Sequence, residues 1–191
     1  MSRALIIVDV QPTFCEGGAL PIEGGDACAE RIAEFVEEHR DDYALIATTQ
    51  DWHIDPGSHF SQTPDFVDTW PPHGVAGTAQ AELHPALAGV NADVSTKKGL
   101  YSAAYSGFEG VDEEGRPLAD VLSEAGVDSV DICGLAQSHC VCETALDAQR
   151  LGFSARILSD LTEPVSAETA VRATERLDAA GVEQIDSLLV F

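Results

Sequence analysis

The sequence predicts an α/β fold: a single domain of three layers, α/β/α, around a mostly parallel central sheet. Three observations carry this. Apolar runs of strand length alternate with stretches of helical spacing along the chain. The first run, residues 3–10, is apolar and rich in Ile and Val up to Asp9 near its end, as suits a strand covered on both faces. The 191 residues, 45% of them hydrophobic, suffice for one full core, and no repeat, low-complexity tract or linker divides them.

The first strand covers residues 3–10 and carries Asp9 at its C-terminal end. Gln11-Pro12 opens a loop holding Phe14 and Gly17-Gly18. A helix follows over 27–39, with Ile32, Phe35 and Val36 on one face. Residues 43–48 form the second strand. Residues 49–77 are irregular and rich in Pro, Gly, Asp and aromatics, a length that usually signals function inside a compact domain. A short helix over 78–88 is broken at Pro85, and residues 92–96 form the third strand, with Lys98 just beyond it. Residues 99–110 are a loop of small and aromatic residues. The helix 118–124, stopped at Gly126, leads to a strand over 130–135. Cys140 stands where the next helix begins, and Gly152 ends that helix. A strand over 154–160 follows. A helix capped by Ser166 then runs to Gly181, before a last strand over 182–190.

Composition limits the function. The formal net charge is −23, from 33 acids against 10 bases. The acids are spread along the chain, which excludes a general nucleic-acid or anionic-membrane binder. Such an acidic surface suits a salt-rich cytoplasm, where self-repulsion is screened; the alternative is an ordinary acidic protein. No apolar run reaches membrane-spanning length, and the first residues lack the segment order of a signal peptide, so a cytoplasmic protein is expected. Five cysteines without a dense framework are expected to be reduced thiols. Whether the chain forms homo-oligomers stays open. Only two lysines occur, the neighbours Lys97 and Lys98.

Asp9, Lys98 and Cys140 each follow a predicted parallel strand, as does the loop that begins near Asp51. In an open α/β sheet those ends share one edge, where sites form. A carboxylate, an ammonium and a thiol would then converge. At a helix start the thiol is expected to feel partial positive charge favouring thiolate; the alternative is a small buried hydrophobe. Asp9 is either an acid–base group or the cap of the following turn. The long loop carries Asp51, His53, His59 and His73. These can form a mixed nitrogen and oxygen site suited to zinc, iron or manganese, or be solvated loop residues.

The segments ALIIVDVQPTFCEGGAL, DWHIDPGSHF, TWPPHGVAGT, KGLYSAAYSGFEG, DICGLAQSHCV and LSDLT resemble the isochorismatase-like cysteine hydrolases, and among them the nicotinamidase (pyrazinamidase) family. The resemblance runs from residue 4 to residue 162 in the family's order. It implies the isochorismatase-like hydrolase fold and hydrolysis of nicotinamide to nicotinate and ammonia, with pyrazinamide as a further substrate. It also implies that Asp9, Lys98 and Cys140 are the catalytic triad, and that Asp51, His53, His59 and His73 hold one divalent transition metal. Phe14 and Trp70 are implied to sandwich the ring, and Tyr105 to line the pocket. A cis peptide before Ala136 is implied to let the N–H groups of Ala136 and Cys140 share an oxyanion hole. Two departures stand out: Ser138 where the motif often has an acid, and a second lysine, Lys97, beside the motif lysine. A related amidase acting on an N-carbamoyl or other small amide is the alternative. From a different class, Cys140 and Cys142 suggest a non-enzymatic metal-binding or thiol-redox protein.

Overall fold

The computed structural model describes residues 2–190. Six strands, β1 (Arg3–Val8), β2 (Leu45–Asp51), β3 (Val94–Lys98), β4 (Ser129–Leu135), β5 (Ser154–Glu163) and β6 (Glu183–Ile185), form one sheet in the order 3-2-1-4-5-6. Every neighbouring pair is parallel. The chain leaves β1 for one half of the sheet and later enters the other half through β4. The crevice between β1 and β4 is therefore the topological switch point, where ligands bind in such sheets.

Alternate residues of β1 serve different layers. Leu5 and Ile7 pack with Ile32, Phe35 and Val36 of α1 (Gly25–His39). Ala4, Ile6 and Val8 pack with the opposite layer. That layer comprises α2 (Leu118–Glu124), α3 (Cys142–Arg150) and α4 (Ala167–Ala180). With both faces covered, β1 and β4 can be apolar without alternation.

The expected elements are present, with shifted limits. Helix α1 starts earlier than composition suggests, because the Glu16 carboxylate accepts from the N–H groups of Gly24 and Asp26 at 2.7 and 2.8 Å. The expected helix over 78–88 is instead two 3-10 turns, Ala79–Ala81 and Pro85–Gly89. Pro85 lacks the N–H that a continuing helix needs, and His84 Nδ1 caps the second turn by accepting from Ala86 N–H. Lys98 is the last residue of β3 and does not lie beyond it. The last strand stops at Ile185. Asp186 then caps a 3-10 turn, Ser187–Leu189, and Ser187 is tied to the Asp160 carboxylate.

Cys140 does not open the following helix. It lies in a π turn, Gln137–Val141, ahead of α3, with the Val141 N–H reaching back to the Ala136 carbonyl at 3.1 Å. The Leu135–Ala136 peptide just before it is cis. Gly134 has φ +114°, and a Cβ there would fall 2.1 Å from the Val8 carbonyl oxygen. Only glycine fits, so β4 can press against β1 where the site begins.

Candidate active site

Four parallel strands deliver the site to one edge. Asp9 follows β1, Asp51 ends β2, Lys98 ends β3, and Cys140 follows β4. Residues 51 and 98 are direct partners in the β2–β3 register, so their side chains meet without any loop excursion.

Lys98 is the hub. Its ammonium lies 2.9 Å from Asp9 Oδ2, donates to the Ala104 carbonyl at 3.2 Å and to Cys140 Sγ at 3.8 Å, and binds Asp51 Oδ1. Lys98 is 1% exposed, a position an ammonium holds only when its partners replace water. Burial alone would lower its pKa, but Asp51 and Asp9 hold it well above the usual lysine value. Asp51 shows the complementary effect: against burial, Lys98 and then His53 keep it well below the usual carboxylate range.

Asp9 has a left-handed backbone, φ 48°, secured by its N–H on the Thr49 carbonyl at 3.1 Å and by the Thr49 hydroxyl donating to Oδ1 at 2.6 Å. Oxygen atoms of Asp9 and Asp51 and the Cys140 sulfur lie within 4.8 Å of one another. Burial raises the pKa of Asp9, opposed by Lys98 and aided by Asp51. Burial also pushes the Cys140 thiol well up, against the pull of Lys98. The expectation of a thiolate favoured by a helix start is therefore corrected: the sulfur is buried, and the helix begins two residues later. A neutral thiol beside a carboxylate of raised basicity is the arrangement for proton transfer on demand.

His53, His59 and His73 present ring nitrogens within 4.8 Å of one another. Asp51 Oδ2 lies 3.6 Å from His53 Nε2 and 3.7 Å from His73 Nε2. His53 Nδ1 faces the Gly99 carbonyl at 2.6 Å, and His73 Nδ1 faces the Pro71 carbonyl at 2.8 Å. Because a carbonyl only accepts, both Nδ1 atoms carry the proton, and both Nε2 lone pairs point at the shared space. His53 Nε2 and His59 Nδ1 are buried and find no hydrogen-bond partner among the described residues. Burial keeps His73 down at about 4 and lowers His59 as well, so both rings are neutral near pH 7, as ligands must be. This donor set fits a transition metal. Gly99 shapes it: at φ +74°, a Cβ would sit 2.5 Å from His53 Cε1.

A second cluster, Cys15, Asp26 and His84, does not fit one. His84 Nδ1 accepts from Ala86 N–H, so Nε2 carries the proton, which it gives to Asp26 Oδ1 at 3.0 Å. Both ring nitrogens are already satisfied.

A cavity of about 560 Å³ opens onto Cys140, Asp51, His59 and His73, within the range of small-molecule sites. Its lining includes Phe14, Trp70, Tyr105, Ala136, His139 and Cys140. Trp70 Nε1 donates to the Tyr105 hydroxyl at 3.0 Å, which fixes both rings. Every residue expected at the site is therefore brought to one place.

Several contributors were missed in the sequence. Gln11 exchanges two hydrogen bonds of 2.9 Å with the Asp51 backbone and so sets that carboxylate's root. Thr49 orients Asp9, and the Ala104 carbonyl receives Lys98. His139 lines the cavity, with its ring 5.6 Å from Trp70. Its place beside Cys140 was the one visible signal; a backbone acceptor such as Ala104 leaves none.

The family model for the isochorismatase domain matches residues 3–187. The nicotinamidase/pyrazinamidase of Mycobacterium tuberculosis (strain ATCC 25618 / H37Rv) is 52% identical over 185 residues, covering 97% of this chain and 99% of that protein. Among solved structures, the pyrazinamidase of Pyrococcus horikoshii in complex with zinc superposes with a TM-score of 0.82 at 34% identity, covering 97% of this chain and 99% of that one. PnC1 from L. infantum in complex with nicotinate gives a TM-score of 0.84 at 34% identity, covering 98% and 93%.

Proposed function

The chain belongs to the isochorismatase family, and from that premise we propose that it is a single-domain, metal-dependent nicotinamidase. It hydrolyses nicotinamide to nicotinate and ammonia, and pyrazinamide to the corresponding acid. The observation that carries this reading is one buried lysine joining a thiol and an acid–base carboxylate to a carboxylate that also faces His53 and His73, two of three clustered histidines.

Asp9 takes the thiol proton of Cys140 as the sulfur attacks the carboxamide carbon, and Lys98 steadies the new charge separation. The backbone N–H groups of Ala136 and Cys140 receive the developing oxyanion. Asp9 returns the proton to nitrogen, the C–N bond breaks, ammonia leaves and a Cys140 thioester remains. Asp9 then draws a proton from water as the water's oxygen attacks the thioester. The C–S bond breaks, the proton returns to sulfur, and the free acid departs, losing its carboxyl proton to solvent or to the released ammonia to become nicotinate. Phe14 and Trp70 clamp the flat ring and Tyr105 closes its edge, so the amide arrives oriented. Asp51, His53, His59 and His73 would hold one zinc, iron or manganese ion, whose chemistry there is to fix the ring nitrogen of the substrate.

A coupled assay of ammonia release from nicotinamide tests the reading. Turnover of nicotinamide is expected. Turnover of N-carbamoyl amides alone would favour the related amidase, and no turnover of either would remove the enzyme reading.

A further inference from the structure

Lys97 and Trp52 take no part in the site as described, yet they flank it. Lys97 Nζ lies 3.6 Å from the centroid of the Trp52 ring, a cation placed over an aromatic face. Both side chains are half-buried. The backbone of Lys97 is held on two sides. It stands in register with Gln50 of β2, and it exchanges hydrogen bonds of 2.9 and 3.1 Å with Val111 across the sheet edge.

Trp52 N–H donates to the Lys98 carbonyl at 2.9 Å, which carries the β2–β3 ladder one residue past Asp51. Side chains alternate along strands. The Asp51–Lys98 ion pair therefore lies on one face of this junction and the Lys97–Trp52 pair on the other. Trp52 is also the single residue between two of the groups facing the shared metal space, Asp51 and His53. In a chain whose other eight bases are all arginine, the second lysine sits directly beneath the first.

We propose that the Lys97–Trp52 pair is a positioning brace for the metal centre. By locking the peptide planes around residue 52 against the end of β3, it sets the aim of Asp51 Oδ2 and His53 Nε2 at their common point with His59 and His73. The brace touches neither substrate nor reacting atoms. It acts as partners behind metal ligands do, whose loss weakens affinity by about 10- to 100-fold. The inference rests on the metal reading given under Proposed function.

The test compares the unmodified protein with Lys97→Met, which keeps the stem and loses the charge, Lys97→Arg, which keeps a cation over the ring, and Trp52→Leu. Each is stripped and titrated with zinc in competition with a chelating dye, and its melting temperature is measured without metal. Lys97→Met and Trp52→Leu are expected to raise the zinc dissociation constant about tenfold and to raise KM for nicotinamide more than they lower kcat. Lys97→Arg should restore affinity. Unchanged zinc affinity in Lys97→Met, or a lowered melting temperature without a change in zinc affinity, would overturn the brace. So would a Lys97→Arg protein as weak as Lys97→Met. If the unmodified protein itself binds no zinc, iron or manganese, the metal reading fails and the brace fails with it.

Discussion

At the scale of single residues, the site separates chemistry from positioning. Cys140 follows β4 and the histidines follow β2, so Cys140→Ala should abolish ammonia release while metal content by elemental analysis stays at the unmodified level; near-normal turnover in that variant would end the thioester mechanism. Iodoacetamide should label Cys140 before Cys133. The first opens onto the cavity, while the second is fully buried in β4. Removing a ligand should act differently. His73→Ala is expected to lower bound metal and raise KM while leaving the alkylation rate of Cys140 nearly unchanged, because His73 faces Asp51 Oδ2, whereas the sulfur accepts from Lys98 Nζ. Equal loss of metal binding and of thiol reactivity would show that the two halves cannot be separated. Much of this was legible in advance: side chains with unusual chemistry, such as Asp9, Lys98 and the loop histidines, announce themselves. Gln11 and Thr49 do not, because their contribution is a hydrogen bond whose partner lies 40 residues away.

At the scale of elements, apolar strands and amphipathic helices were readable because their periodicity reports burial directly. Short turns were not. The segment 78–88 has helix-forming residues, yet its backbone follows Pro85 and the His84 cap. The π turn around Cys140 depends on an i to i−5 hydrogen bond that no side-chain pattern encodes. Gly134 makes the close contact that joins β4 to β1 at Val8. Gly134→Ala combines an unfavourable φ with a Cβ 2.1 Å from a backbone oxygen, and backbone cannot rotate aside as a side chain can. The expected loss exceeds about 4 kcal/mol, the range of exceptional substitutions, seen as a collapse of soluble yield or of the denaturant midpoint. A Gly134→Ala protein with an unchanged midpoint would show that β4 can withdraw from β1.

At the scale of the whole molecule, charge dominates. With 33 acids and 10 bases, repulsion among surface carboxylates opposes compaction. The Debye length falls from about 10 Å at 0.1 M salt to about 3 Å at 1 M, so neighbouring acids decouple over that range. The melting temperature and the half-life of activity are expected to rise together from about 0.1 M to about 1 M KCl. KM for the neutral substrate should stay level, since no long-range steering is lost. A flat or falling melting temperature would remove salt adaptation and leave the amidase chemistry untouched.

The pairing of the two lysines has a practical corollary. A lysine-specific endoprotease has one locus to attack in the entire chain, residues 97 and 98. In the folded protein Lys98 is sealed, and the Lys97 backbone exchanges two hydrogen bonds with Val111 while standing in register with β2. Cleavage there requires the β2–β3 edge to open, and it splits the polypeptide near its middle into pieces that a gel resolves easily. The chain thus carries its own reporter of unfolding, and the fraction cut in a short pulse reads the population of opened molecules without any dye or label.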